Sequence, residues 1–256
     1  LMSLFKYVKN LGDGWKYFND HLSHNNYSML LRETRIIGEL TAKMHSSLFV
    51  KIGNSKFDYE STNLHDIEEL RQEYNLTLES AINSCKRALA GRSSKYVKHI
   101  ETFLESADTM PDAVNDRLEK ILLSLYKIRI HGDYHLGQLL KTKNGYKIID
   151  FEGEPMRNIE ERTKKTFAMK DVSGMLRSLN YVAGFNLTSN IEKNQKINKW
   201  LAESRDAFVS SYKNNIMNLN IIPSRMDDFS YALKFFETVK ALYEVKYEIE
   251  NRPDWA

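Results

Sequence analysis

The sequence predicts a mainly α protein, α+β overall, in which one small β-hairpin separates two sets of helices. Three observations carry that expectation. Apolar residues recur at helical spacing on both sides of the middle of the chain. The period changes only at Tyr126, after which two short runs flank Asn144-Gly145, the strongest short hairpin signal. No alternation of strand and helix appears, so a parallel sheet is not expected.

Taken in order, Leu1 to Val8 reads as an extended, partly buried segment that opens as if in the middle of a strand. Asn10-Leu11-Gly12-Asp13-Gly14 breaks it, and Asp13 is suited to cap a helix starting near Trp15. From Tyr27 to Ser47, apolar side chains at Leu30, Leu31, Ile36, Ile37, Leu40 and Met44 give a helix with one buried face. A polar loop follows from Phe49 to Ser61. Asn63–Ala90, Ser93–Ser106 and Pro111–Leu125 are amphipathic, charged packing helices. Lys127 to Ile130 is short and extended. Leu139–Lys143 and Tyr146–Phe151 form the hairpin, and Glu152–Met169 is charged and irregular, with Pro155 inside it. Helix returns over Lys170–Leu187, Asn190–Ile216 and Arg225–Glu250, and Pro253 stops the last of these.

Composition narrows the class of protein. The 256 residues are 42% apolar and 28% charged, which suits a globular chain with a real core, in one large domain or two small ones. The net charge of +3 comes from interleaved acids and bases, without the basic stripe of a nucleic-acid binder. Cys85 is the only cysteine, which excludes an internal disulfide and fits a reducing, cytoplasmic compartment. No apolar run reaches the length of a membrane span, and no signal peptide is evident.

The chemistry concentrates between Ile130 and Pro155. Asp133 follows His131-Gly132, Gln138 lies five residues on, and Asp150-Phe151 closes the hairpin. This spacing suits phosphoryl transfer. One carboxylate accepts a hydrogen bond from a hydroxyl and aims it at a γ-phosphate, while an amide and a second carboxylate hold Mg²⁺. Adjacent strands lie about 4.8 Å apart, a suitable gap for two ligands of one ion. Pairing about an Asn144-Gly145 loop puts Gln138 opposite Phe151 rather than Asp150, so Gln138 is expected just outside the ladder. His131 and His135 are expected to brace backbone, with His135 the nearer of the two to substrate or phosphate. His45 lies on an apolar helix and reads as a satisfied core residue. His21, His24, His65 and His99 show no metal-ligand spacing.

The run from Ile130 to Gln138 with Asp150-Phe151-Glu152-Gly153-Glu154-Pro155 resembles the maltokinase branch of the aminoglycoside phosphotransferase-like kinases. Lys170–Ser178 is similar to the helix after the metal-binding acid of that family. Lys240–Glu248 with Asn251–Trp255 is similar to its C-terminal signature, and Leu11–Trp15 to the segment after its interlobe hinge. The resemblance implies a protein-kinase-like C-lobe over 13–256, with residues 1–12 a hinge remnant of a missing N-terminal lobe. It places the catalytic loop at 130–138, the hairpin at 138–151 and the acceptor helix at 225–251. It further implies ATP and Mg²⁺ as cofactors, Asp133 as catalytic acid or base, and Gln138 and Asp150 as metal ligands. Lys240, Tyr243 and Tyr247 are then the lining of a maltose pocket that Asp133 also touches. The i, i+3, i+7 spacing independently puts that cation and two phenols on one helical face, although tyrosines so spaced also pack cores.

Trp15 either stacks on sugar or packs against the next helix. Asp171 either caps its helix or braces the catalytic loop, and Arg177 is a candidate partner for a loop carboxylate. Glu152 sits beside the metal-binding acid. The implied reaction is phosphorylation of maltose at its anomeric hydroxyl, with a trehalose synthase as fusion or complex partner. Two alternatives stand beside it. One is a kinase of the same fold acting on glucosamine, an aminoglycoside or choline. The other is a non-catalytic lobe that binds oligosaccharide or scaffolds a trehalose synthase. Neither nucleic acid nor membrane is expected as a partner.

Overall fold

The computed structural model describes residues 7–90, 97–107, 110, 113–154, 158–216 and 219–252. Most of Leu1–Val8, together with Pro155 and Pro253 to Trp255, therefore lies outside the described residues. Two compact units divide the chain, each made of two segments. The first comprises Leu1–Asp58 and Ile128–Leu219, the second Tyr59–Lys127 and Asn220–Ala256.

In the first unit, α1 (Gly14–Ser23) begins where expected, because the Asp13 carboxylate accepts the Lys16 N–H at 2.8 Å. Helix α2 (Tyr27–Leu48) packs along α8 (Ile191–Asn215), burying Leu30, Ile37 and Ala42 against a face that includes Trp200, Phe208 and Tyr212. Between them in sequence come the hairpin β3 (Leu139–Thr142) and β4 (Gly145–Ile148), the short α6 (Ile159–Thr163) and α7 (Met169–Phe185). Helix α6 lies within the stretch expected to be irregular. Its Asn158 and Glu161 form a reciprocal capping box, a signal that the charged composition obscured.

The hairpin turn lies one residue earlier than expected, which moves each cross-strand partner by two. Leu139 pairs with Ile148 and Thr142 with Gly145, so the two-residue loop is Lys143-Asn144. A loop centred on Asn144-Gly145 needs positive φ at both residues, and only Gly145 has it, at +115°. The Thr142 hydroxyl holds the observed turn, accepting from the Asn144 N–H and donating to the Gly145 carbonyl. Continued outward, this register sets Gln138 opposite Ile149, whose N–H donates to the Gln138 carbonyl at 3.0 Å.

The hairpin is anchored on its other edge by the segment before α1. Leu11 N–H donates to the Lys141 carbonyl, and Lys141 N–H to that of Gly12. The Lys141 ammonium turns inward, 2.6 Å from the Glu33 carboxylate of α2 and over the Tyr146 ring at 4.5 Å. Burial, reinforced by the Glu33 charge, pushes the Tyr146 phenol far above its ordinary range.

The second unit is a helical cluster. Helix α3 (Leu64–Ala90) packs on α9 (Met226–Asn251), and α4 (Val97–Ala107) and α5 (Asp116–Leu123) complete it. Helix α5 starts later than Pro111, because Asn115 caps it by accepting the Leu118 N–H. A two-residue pairing of β1 (Glu60–Ser61) with β2 (Tyr126–Lys127) closes the ends of the first segment of this unit. It uses the last residues of the stretch read as loop. Lys127 is buried there against the Asp66 carboxylate. Among the described residues, no helix is long and apolar enough to cross a membrane.

Candidate active site

The loop from His131 to Leu136 is held mainly by one face of α7. Asp171, buried at 2% exposure, accepts the His131 N–H at 2.8 Å through Oδ2 and the Gly132 N–H at 2.9 Å through Oδ1. One turn on, Gly174 lets the helix approach the loop; a Cβ there would lie 2.7 Å from the Tyr134 carbonyl oxygen. One turn further, the Ser178 hydroxyl accepts the Leu136 N–H at 3.1 Å. Residues i, i+3 and i+7 of a helix share a face, so these three contacts form one docking edge. Of the two readings for Asp171, bracing the loop is what the geometry shows.

A buried chain backs Asp171. The His45 imidazole lies 3.1 Å from Asp171 Oδ2 through Nε2 and 2.8 Å from the Tyr212 hydroxyl through Nδ1. With Nε2–H donating to the carboxylate, Nδ1 accepts the Tyr212 O–H. That assignment agrees with the phenol, which burial keeps protonated well above its ordinary range. Three elements, α2, α8 and α7, thus fix two backbone N–H groups beside Asp133. Sequence reading placed His45 in the core but missed its partners; the Asp171-Gly174-Ser178 spacing was the available signal.

Within the loop, His131 is buried and acts on backbone at both nitrogens. Nδ1 accepts the Asp133 N–H at 3.3 Å, and Nε2–H donates to the Ile149 carbonyl at 2.9 Å. Its ring also meets that of Phe151, centroids 4.9 Å apart. His131 therefore ties the Asp133 loop to the strand leading into Asp150. His135 repeats the first half of this device, its Nδ1 accepting the Gly137 N–H at 3.0 Å while Nε2 lies 3.7 Å from Asp133 Oδ2. Tyr134 points inward between them and its hydroxyl meets that of Thr41 at 2.9 Å.

Gln138 ends a 3-10 turn, Leu136–Gln138, and so lies just before β3. Asp150 follows β4 with φ +60°, a left-handed conformation that costs an aspartate about 1 kcal/mol and swings the chain out of the ladder. The two side chains meet there, Gln138 Nε2 lying 3.3 Å from Asp150 Oδ2. An amide and a carboxylate offer hard oxygens on an exposed edge. Mg²⁺ takes one or two such protein ligands and completes its shell with phosphate and water, so this donor set fits that ion. Among the described residues there is no cluster of three His, Cys, Asp or Glu side chains that could hold a metal. Glu152 is exposed next to Phe151.

Trp15 is half-buried, its ring edge-on to Phe185 at 6.1 Å, so the packing reading has a partner. The Arg177 guanidinium lies 5.8 Å from the Tyr181 ring. In the second unit, α9 carries Lys240, Tyr243 and Tyr247 on one face. The Lys240 ammonium lies 4.9 Å from the Tyr243 ring centre, and the two phenol rings stack at 6.4 Å with planes 18° apart. Arg252 extends the row, 5.6 Å from the Tyr247 ring. Asp133, Gln138, Asp150, His131, His135 and Asp171 thus gather in one unit, and the aromatic row belongs to the other.

The fold is that of a kinase-like protein. Over 97% of its length the chain superposes on glucosamine kinase solved in complex with glucosamine, ADP and inorganic phosphate, with a TM-score of 0.77 and 22% identity. The match covers 56% of that protein. A second crystal form of glucosamine kinase gives a TM-score of 0.76 at 21% identity. In sequence, the whole chain aligns with the glucosamine kinase of Streptacidiphilus jiangxiensis at 24% identity over 262 residues, 55% of that protein. A 53-residue stretch is 45% identical to part of the glucosamine kinase of Mycolicibacterium smegmatis, covering 13% of it. No protein-family profile matches the chain. The chain spans about half the length of the Streptacidiphilus relative.

Proposed function

We propose that this chain carries the acceptor- and metal-binding part of an ATP-dependent sugar kinase, with glucosamine as the favoured acceptor. The observation that carries the proposal is the braced Asp133 loop beside Gln138 and Asp150, which meet at the open end of the hairpin. Asp133 accepts a hydrogen bond from the acceptor hydroxyl, orients it in line with the γ-phosphate and takes its proton as the new bond forms. The brace keeps that carboxylate from swinging, because the backbone on its N-terminal side is hydrogen-bonded to a buried acid. Gln138 and Asp150 would hold Mg²⁺, which neutralises charge on the nucleotide phosphates when bound. The choice of glucosamine rests on the names of the relatives, and the single buried cysteine suits a cytoplasmic setting.

A second reading keeps maltose as acceptor, with a trehalose synthase as partner, and one observation favours it. Lys240 and Arg252 flank the stacked Tyr243 and Tyr247 rings. Stacked phenols suit a neutral sugar ring, and two cations disfavour an ammonium-bearing one. Phosphorylation of a sugar panel by the intact protein with Mg-ATP separates the two. Glucosamine is expected to give the highest kcat/KM; a higher value for maltose moves the assignment to maltose. Activity on no sugar at all sinks both.

A further inference from the structure

We infer that Gly153 is a positioning residue, its bare Cα serving as the spacer between the Asp133 loop and the turn that carries Asp150. It acts in this way for the phosphoryl transfer proposed above, on which the assignment rests. Three observations carry it.

The first is a contact made without side chains. Gly132 and Gly153 both take left-handed backbone, with φ +84° and +75°, and a Cβ on Gly132 would lie 3.3 Å from Gly153 Cα. Gly153 is buried there, although Phe151 and Glu152 just before it are exposed. The second is that α6 covers the place a side chain would take. A Cβ on Gly153 would lie 3.2 Å from Arg162 Cβ and 3.3 Å from Arg162 Cγ. The third is that the chain after α6 returns to the strand leading into the Asp133 loop. Thr166 N–H donates to the Ile128 carbonyl at 2.9 Å, and Ile128 N–H to that of Thr166 at 3.0 Å.

These contacts close a circuit. It runs from Ile128 to Gly132, across to Gly153, across to Arg162, and back through Thr166 to Ile128. Within the circuit the gap between the two loops is set by the thickness of backbone. An added methyl group at Gly153 has no rotamer in which to escape Arg162, so a loop or α6 must shift by a few tenths of an ångström. In-line attack tolerates little misplacement of the acceptor from the phosphate, so such a shift slows the reaction without removing a binding group.

The test uses the intact protein with Mg-ATP and glucosamine. Gly153→Ala is expected to lower kcat about tenfold, with KM for glucosamine and ATP within about twofold. On an Arg162→Gly background, which clears the space, the same alanine is expected to lower kcat less than about twofold. Gly53→Ala separates backbone strain from contact, because Gly53 has φ +79° and nothing lies within 4 Å of the added Cβ. Its kcat is expected to stay within about twofold of the unsubstituted protein. An unchanged kcat for Gly153→Ala, a tenfold loss on both backgrounds, or an equal loss for Gly53→Ala overturns the inference. NMR reads the same contact without turnover, so a protein inactive on every sugar fails the functional reading alone. In the unsubstituted protein a nuclear Overhauser effect must link the Gly132 and Gly153 α-protons, and the Gly132 amide resonance must move in Gly153→Ala. The absence of that link, or an unmoved Gly132 resonance, overturns it.

Discussion

The loop that carries Asp133 and the aromatic row of α9 are held in place by opposite means. Around Asp133 the backbone departs from regular structure, so each N–H must find a partner, and several partners are buried side chains from distant helices. His131 N–H and Gly132 N–H go to Asp171, Leu136 N–H to Ser178, and Asp133 N–H to His131. On α9 the helix satisfies its own backbone, and the helical repeat and ring contact line up Lys240, Tyr243 and Tyr247. The difference teaches where mutations should be costly. A change in the loop region releases a buried polar group, whereas a change on the helix face removes contact area and leaves the scaffold standing.

The largest expected effect is at Asp133. Asp133→Asn keeps the size and removes the proposed proton acceptor, so kcat for sugar phosphorylation by the intact protein should fall about 10³-fold with the melting temperature nearly unchanged. Full activity in that variant sinks the mechanism. Next comes the brace. Asp171→Ala orphans two loop N–H groups and the His45 imidazole, and chemical denaturation should show a loss of about 3 kcal/mol. A loss under about 1 kcal/mol means that water replaces the carboxylate and the loop is not held as described. The smallest effect is on the helix face. On the maltose reading, Tyr243→Ala should raise KM for maltose about fivefold, worth about 1 kcal/mol, with kcat and KM for ATP little changed. If kcat falls instead, the two regions are not separable in the way this contrast supposes.

Within the loop, how much was legible depended on the range of the interaction. The Asp133, Gln138, Asp150 spacing and the hairpin between them are local, and the two metal-ligand candidates do meet. The one-residue shift of the turn was not readable, because it hinges on which residue takes positive φ, and Asn144 and Gly145 are both able to. The expected position of Gln138 just outside the ladder survives that shift, since the 3-10 turn ends there.

Helix spacing, the Asp13 cap, the hairpin and the i, i+3, i+7 face of α9 were determined by the sequence itself, since each depends on residues within a few positions of one another. Tertiary structure alone decided what Asp171 does and what His45 serves. Their contact spans 126 residues, and that of His45 with Tyr212 spans 167. The division into two units, each built from two separated segments, was likewise beyond local reading. A buried carboxylate and a buried imidazole each require a partner, but periodicity does not say which one. Only the packing of α2, α7 and α8 brings those groups within hydrogen-bond reach of the loop that carries Asp133.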